Sequence, residues 1–186
     1  MRKVEKGEVG DARADVCITR RKRRNVAMIL YHGSDVRVAA PKLLKNQRTL
    51  DFGKGFYMTS DLDQATKWAK RTAARLRRTE AFVSVYRADD EEVSQLRVLR
   101  FHNPDVYWLR FVVANRTGRT LDEDWDVVAG PVADDQTATA IDLFLDGNYD
   151  EEETIRRLLP QRLKDQYAFK TEETLALLRY EEAIKL

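Results

Sequence analysis

Asp51-Phe52-Gly53-Lys54-Gly55-Phe56-Tyr57-Met58-Thr59-Ser60 is the stretch on which the reading of the chain turns. Gly53 and Gly55 bracket one basic residue, so the backbone can turn tightly and approach a ligand with no Cβ in the way. Phe56 to Thr59 reads as a short strand. Ser60, with Asp63 three residues on, reads as the start of a helix. The order is glycine turn, aromatic strand, helix, with Tyr57 at the mouth of the strand, where a flat ring can cover a flat ligand.

Upstream, Met28-Ile29-Leu30-Tyr31-His32-Gly33-Ser34 reads as an apolar strand (28–32) ending in His-Gly-Ser. Taken together, "LYHGS" and "DFGKGFYMTSDLDQATKWA" resemble the ADP-ribosyltransferase superfamily, on its poly(ADP-ribose) polymerase and diphtheria-toxin side. The closer resemblance is to the bacterial DUF3990 group, from Leu30 to about Tyr180. The superfamily likeness implies an α+β fold: an ADP-ribosyltransferase-like split β-sheet core with surrounding helices, holding NAD in a cleft between two mostly antiparallel sheets.

The same resemblance implies roles for particular residues. His32 matches a first-strand His that contacts the adenosine-side ribose. As a strand-end His it also has a purely structural reading. Gly33 matches the following Gly, which presents backbone N–H and C=O to the nicotinamide carboxamide. Tyr57 matches a ring stacked on nicotinamide, against the plainer reading of a core tyrosine. Trp68, 11 residues later, matches a second aromatic that sandwiches the nicotinamide. It also falls on a helical apolar stripe with Leu62, Ala65, Ala69, Thr72 and Leu76, so core packing competes equally. Phe52 and Phe56 read as cleft wall or core. Ser34, Phe52 and Gly53 complete the expected NAD-contacting set.

The chain departs from the best-known family pattern at a late strand, Gln166-Tyr167-Ala168-Phe169-Lys170. Many members carry a catalytic Glu at the position of Gln166. A Gln can hydrogen-bond a ribose hydroxyl but supplies no negative charge for a developing cation. That argues against chain elongation and for single transfer or NAD hydrolysis. Glu172, Glu173, Asp51 and the pair Asp134-Asp135 are nearby carboxylates, better read as helix-start or loop charges.

Composition bounds the rest. With 186 residues, 43% apolar and 34% charged, the chain reads as one globular domain with no membrane span. No secretory signal is evident. The lone Cys17 cannot form an internal disulfide, which fits a reducing cytoplasm. Residues 1–27 carry nine Lys/Arg against four Asp/Glu, including the run Arg20-Arg21-Lys22-Arg23-Arg24. They read as a basic, poorly ordered N-terminal extension to a domain over 28–186, with Met28 as an alternative start and an acidic or nucleic-acid partner as an alternative role. The remainder carries 24 Lys/Arg against 27 Asp/Glu, unlike a general nucleic-acid binder. No Cys pair or His cluster marks a metal site, and no P-loop or nucleophile elbow is present.

Further along, helices are expected over 61–78, from Asn103-Pro104 to near Asn115, over 138–145 and over 151–159. Strands are expected over 81–87, 96–101 and 125–129, the last stopped by Gly130-Pro131. A helix capped by Thr171 is expected to close the chain. The expected activity is NAD-dependent mono-ADP-ribosyl transfer, with NAD as co-substrate and a protein or nucleic acid as acceptor. Such compact bacterial domains serve as toxins, effectors or phage-defence proteins, which implies an antitoxin or immunity partner. The alternatives are an NAD glycohydrolase and a catalytically silent module that binds NAD or ADP-ribose.

Overall fold

The structure, a computed structural model, describes residues 27–45, 49–119, 124–133, 135–160 and 163–186. The expectations for the basic extension and for Asp134 lie outside the described residues. Among the described residues, no helix is long and apolar enough to cross a membrane.

Seven strands and six helices are described, in an α+β arrangement with two sheets, as expected. The first sheet contains β1 (Ala27–Ser34), β3 (Phe82–Asp89) and β7 (Arg179–Lys185), all antiparallel, in the order β1-β3-β7. The second contains β2 (Phe56–Met58), β4 (Val98–Arg100), β5 (Val127–Pro131) and β6 (Asp165–Phe169), in the order β2-β6-β5-β4, with only β4–β5 parallel. One antiparallel bridge, Tyr31 to Thr59, joins the sheets. Beyond it, β2 ends and the chain enters a helix, so the sheets part at this point.

Leu30 and Tyr86 of the first sheet pack with Phe56, Met58, Tyr167 and Phe169 of the second in one buried cluster. The other face of the second sheet carries Val128 and Ala168. It is covered by α3 (Val106–Arg116), α4 (Asp135–Leu145) and α5 (Glu151–Leu158) through Trp108, Leu109, Val112, Ile141 and Leu158. The indole N–H of Trp108 donates to Pro131 O at 2.9 Å, satisfying the polar atom of the largest fully buried side chain. The other face of the first sheet is covered by α1 (Leu62–Arg75), through Ala65, Ala69 and Ala73.

That alanine stripe corrects the expected one. Leu62, Trp68 and Leu76 are 39%, 50% and 50% exposed, whereas Ala65, Ala69 and Ala73 are buried. The reason is close approach. A Cβ built on Gly33 would lie 2.2 Å from Ala65 O and 2.8 Å from Ala69 N, so the helix backbone rests directly on β1 and only small residues fit between. Core packing is therefore not the role of Trp68.

Several boundaries differ for local chemical reasons. Asp61, not Ser60, caps α1, accepting from Gln64 N at 2.7 Å. Asp105, not Asn103, caps α3, accepting from Trp108 N at 2.9 Å. Gly130 and Pro131 continue β5 rather than stop it, pairing with Gln166 and Asp165. Thr171 does cap a helix, in a reciprocal capping box with Thr174, but α6 (Glu172–Ala176) is one short turn and the chain closes on β7. The strand was hidden by a register shift. Tyr180 pairs with Tyr86 and Glu182 with Val85, so the extra Glu181 breaks the two-residue alternation that marks a strand. The helix α2 (Asp90–Ser94) was likewise not foreseen.

Candidate functional site

The point where the sheets part gathers most of the expected residues. Tyr31 N donates to Thr59 O at 2.8 Å, and Thr59 N donates to Tyr31 O at 3.1 Å. Residues two apart on a strand present their N–H and C=O to the same edge. Gly33 therefore aims its peptide groups to the edge that faces away from β3, just past the end of β2. A backbone edge at a strand divergence can pair with a planar amide. The absence of a Cβ at Gly33 serves a second purpose too, the seat of α1 described above.

His32 lies on the neighbouring face. Its ring stacks on Phe56, with centroids 4.3 Å apart and planes 27° apart. Nδ1 lies 2.8 Å from Tyr57 O. A carbonyl only accepts, so Nδ1 carries the proton and the neutral ring keeps Nε2 as an acceptor. Burial pushes the imidazole below its ordinary value, an effect partly offset by the Tyr57 hydrogen bond. His32 is thus neutral at pH 7. Its folded-state value lies below the unfolded one, so the unfolded chain binds more protons just below about pH 6.5. The stability from keeping His32 neutral is complete above that pH and is lost as pH falls toward the lowered value. Urea midpoints of wild type should accordingly fall between pH 7.5 and 5, and those of His32→Gln should fall less. Parallel pH profiles for the two proteins would remove His32 from the acid response.

Tyr57 organises the glycine turn. Its hydroxyl donates to Gly53 O at 2.6 Å and accepts from Phe52 N at 3.0 Å. Gly53 takes a φ of +86°, which the turn needs and a side chain resists. Burial holds the Tyr57 hydroxyl well above its ordinary range, so it stays protonated. Its ring packs, half-buried, on the outer face of the second sheet. Phe52 is fully buried there, which corrects its expected place among NAD-contacting side chains. Its backbone is engaged as well, with Phe52 O accepting from Lys170 Nζ at 3.1 Å. Ser34 is half-buried and its hydroxyl donates to Asp35 at 3.3 Å.

Tyr57 pairs with Ala168 across β2 and β6, so Tyr57, Ala168 and Gln166 share one face of the second sheet. Gln166 carries a buried Nε2 with no hydrogen-bond partner. Asp165, directly before it, ties the strand to the start of α1. Its carboxylate accepts from Thr59 Oγ1 at 3.0 Å, from Ser60 N at 2.8 Å and from the Ser60 hydroxyl. Its backbone O accepts from Gln64 Nε2 at 3.2 Å. Gln64 and Asp165 were not singled out by sequence. They meet across about a hundred residues, and no local pattern marks such a pair. Trp68 lies one turn beyond Gln64 on the same side of α1, half-exposed.

Two carboxylates near this junction, Asp61 and Asp51, are engaged. Asp61 accepts from Lys164 Nζ at 2.6 Å as well as capping α1, and the ion pair helps hold its carboxyl below the usual range despite the opposing effect of desolvation. Asp51 accepts from Arg116 Nε at 2.6 Å. Glu172 and Glu173 are exposed in the first turn of α6. An open cavity of about 190 Å³ adjoins the same end of β6, lined by Arg100, His102, Gly130, Lys164, Asp165 and Tyr167. It lies against the Asp165 and Tyr167 side of the strand, opposite Gln166, and is smaller than the roughly 300–1,000 Å³ usual for small-molecule sites.

The fold and this junction define a two-sheet α+β domain with a polar, amide-bearing centre at the split between its sheets. A family model described as "Protein of unknown function (DUF3990)" matches residues 28–180, and the chain belongs to that family. No curated protein and no solved structure matches it.

Proposed function

We propose that the chain is an NAD-dependent mono-ADP-ribosyltransferase with an ADP-ribosyltransferase-like fold, acting on a protein or nucleic-acid acceptor. One juxtaposition carries this reading. At the split between the sheets, the outer backbone edge of Gly33 lies near the Tyr57 strand, and Gln166 shares a sheet face with Tyr57 while holding an unpartnered buried amide nitrogen. A planar carboxamide has a backbone edge to pair with, an aromatic ring to lie against and, one turn along α1 from Gln64, the half-exposed Trp68 to cover it. His32 Nε2 is a neutral acceptor for a ribose hydroxyl.

In the proposed reaction the bond from the ribose anomeric carbon to the nicotinamide nitrogen breaks, and its electron pair leaves with nicotinamide. An acceptor nucleophile then bonds to that carbon and loses a proton. Gln166 orients the ribose with its amide dipole but adds no charge. The role as a bacterial toxin or effector, with an antitoxin or immunity partner, rests on the family resemblance and belongs to the same proposal.

A second reading is favoured by one observation: Asp165, the carboxylate beside Gln166, and Asp61, which caps the helix carrying Gln64, are both engaged. The chain would then be a silent NAD- or ADP-ribose-binding module. Nicotinamide release from NAD decides between them, measured with and without cell lysate as acceptor source. Wild type should release nicotinamide and His32→Ala should not. Trp68→Ala, at a half-exposed position, should fold normally and bind NAD about fivefold more weakly, the size of one ring-stacking interaction. Binding without release supports the silent module, and release without a modified macromolecule supports an NAD glycohydrolase. Neither binding nor release would remove NAD from the account.

A further inference from the structure

Two buried side-chain atoms among the described residues have no hydrogen-bond partner: Gln64 Oε1 and Gln166 Nε2. Buried polar atoms are nearly always paired, and an orphan in a native fold calls for a reason. These two are complementary, an acceptor and a donor, and both belong to the same junction. Gln64 Nε2 donates to Asp165 O, and Gln166 is the next residue. That bond also sets the orientation of the Gln64 amide, because a carbonyl can only accept. The Gln64 oxygen is therefore the free end. No hydrogen bond joins the two orphans, so each is open to a bound group. A single hydroxyl set between them would donate to Gln64 Oε1 and accept from Gln166 Nε2.

We propose that Gln64 and Gln166 together grip one ribose hydroxyl, the 2′-hydroxyl next to the anomeric carbon on the nicotinamide side, and that Gln64 is a substrate-binding residue of this chain. The proposal rests on the NAD reading above. It gives the amide at position 166 a partner. A hydroxyl that donates to Gln64 Oε1 carries more electron density on its oxygen, beside the carbon where positive charge develops. Gln64 Oε1 thereby takes the accepting role of a carboxylate, while Gln166 Nε2 holds the hydroxyl in place. Asp165 becomes the positioning residue for both, since its backbone holds Gln64 and its carboxylate fixes the start of the helix that carries Gln64.

The test is the initial quench of tryptophan fluorescence on mixing with NAD, or with an NAD analogue bearing fluorine in place of the nicotinamide-side 2′-hydroxyl. Fluorine cannot donate to Gln64 Oε1. Wild type should prefer NAD over the analogue by about fivefold, the size of one hydrogen bond. Gln64→Ala should bind NAD about fivefold more weakly and show no preference. Gln64→Glu keeps an acceptor oxygen but cannot donate to Asp165 O, so it should restore only part of the preference. Melting temperatures of all three proteins separate binding from folding. If Gln64→Ala melts lower but keeps wild-type NAD affinity and preference, Gln64 is only a packing residue and the proposal is overturned. If wild type itself does not bind NAD, the NAD reading fails and this inference fails with it.

Discussion

Gly33→Ala is expected to lower the stability of the fold by about 3 kcal/mol, near the upper end for overpacking, and the melting temperature by about 6–12 °C for a chain of this size. The added methyl would sit 2.2 Å from Ala65 O and 2.8 Å from Ala69 N. Both are backbone atoms of α1 and cannot swing aside as a flexible side chain would. The helix must lift from β1, and Ala65, Ala69 and Ala73 lose part of their contact with Val83. The backbone edge of Gly33 moves too, so NAD binding should weaken beyond the loss of folded protein. Thermal unfolding of the variant beside wild type checks the first effect, and NAD titration below the melting range checks the second. A variant as stable as wild type would mean that α1 does not press on β1 at this point.

Asp165→Ala is expected to cost about 2–3 kcal/mol. Hydrogen bonds to a charged group contribute about 1.5–3 kcal/mol each when removed from water, and partial exposure of Asp165 discounts the three that would be lost. The buried Thr59 hydroxyl is left without its acceptor, and the first turn of α1 loses its tie to β6. Asp165→Asn keeps an acceptor oxygen and should cost about 1 kcal/mol. Because Asp165 stands between Gln64 and Gln166, the alanine variant should also lose nicotinamide release more completely than its stability predicts. Urea unfolding together with release assays at a temperature where each variant is folded would check this. Equal specific activity per folded molecule in Asp165→Ala would show that Asp165 holds the fold and not the centre.

These expectations rest on features of different legibility. The glycine turn and the strand after it were readable because Gly53 and Gly55 have few other uses and the aromatic run is short and sharply bounded. Thr171 was readable as a cap for the same local reason. Of the two readings of Trp68, core packing fails because a helical wheel contains no information on how close the helix lies to its sheet. β7 was misread because Glu181 shifts the register within the strand, leaving a helix-like run of Glu-Glu-Ala-Ile-Lys. Phe52 read as cleft wall or core, and its full burial selects the core. Its burial depends on Phe101, Phe111 and Trp108, which reach it from distant parts of the chain.

The amino-acid sequence by itself determined the turn at Gly53, the order of most strands and helices and the α+β class. Each of these follows from interactions between residues a few positions apart, written as steric freedom, hydrophobic period or capping. The tertiary structure alone decided that Gly33 is a seat for α1, that Asp165 ties β6 to the start of that helix, and that Gln64, bonded to the Asp165 backbone, and its neighbour Gln166 carry complementary unpartnered atoms. Those relations join residues 32 to 106 positions apart, and the pattern of either segment is indifferent to the other. Only packing against a shared core brings such segments together.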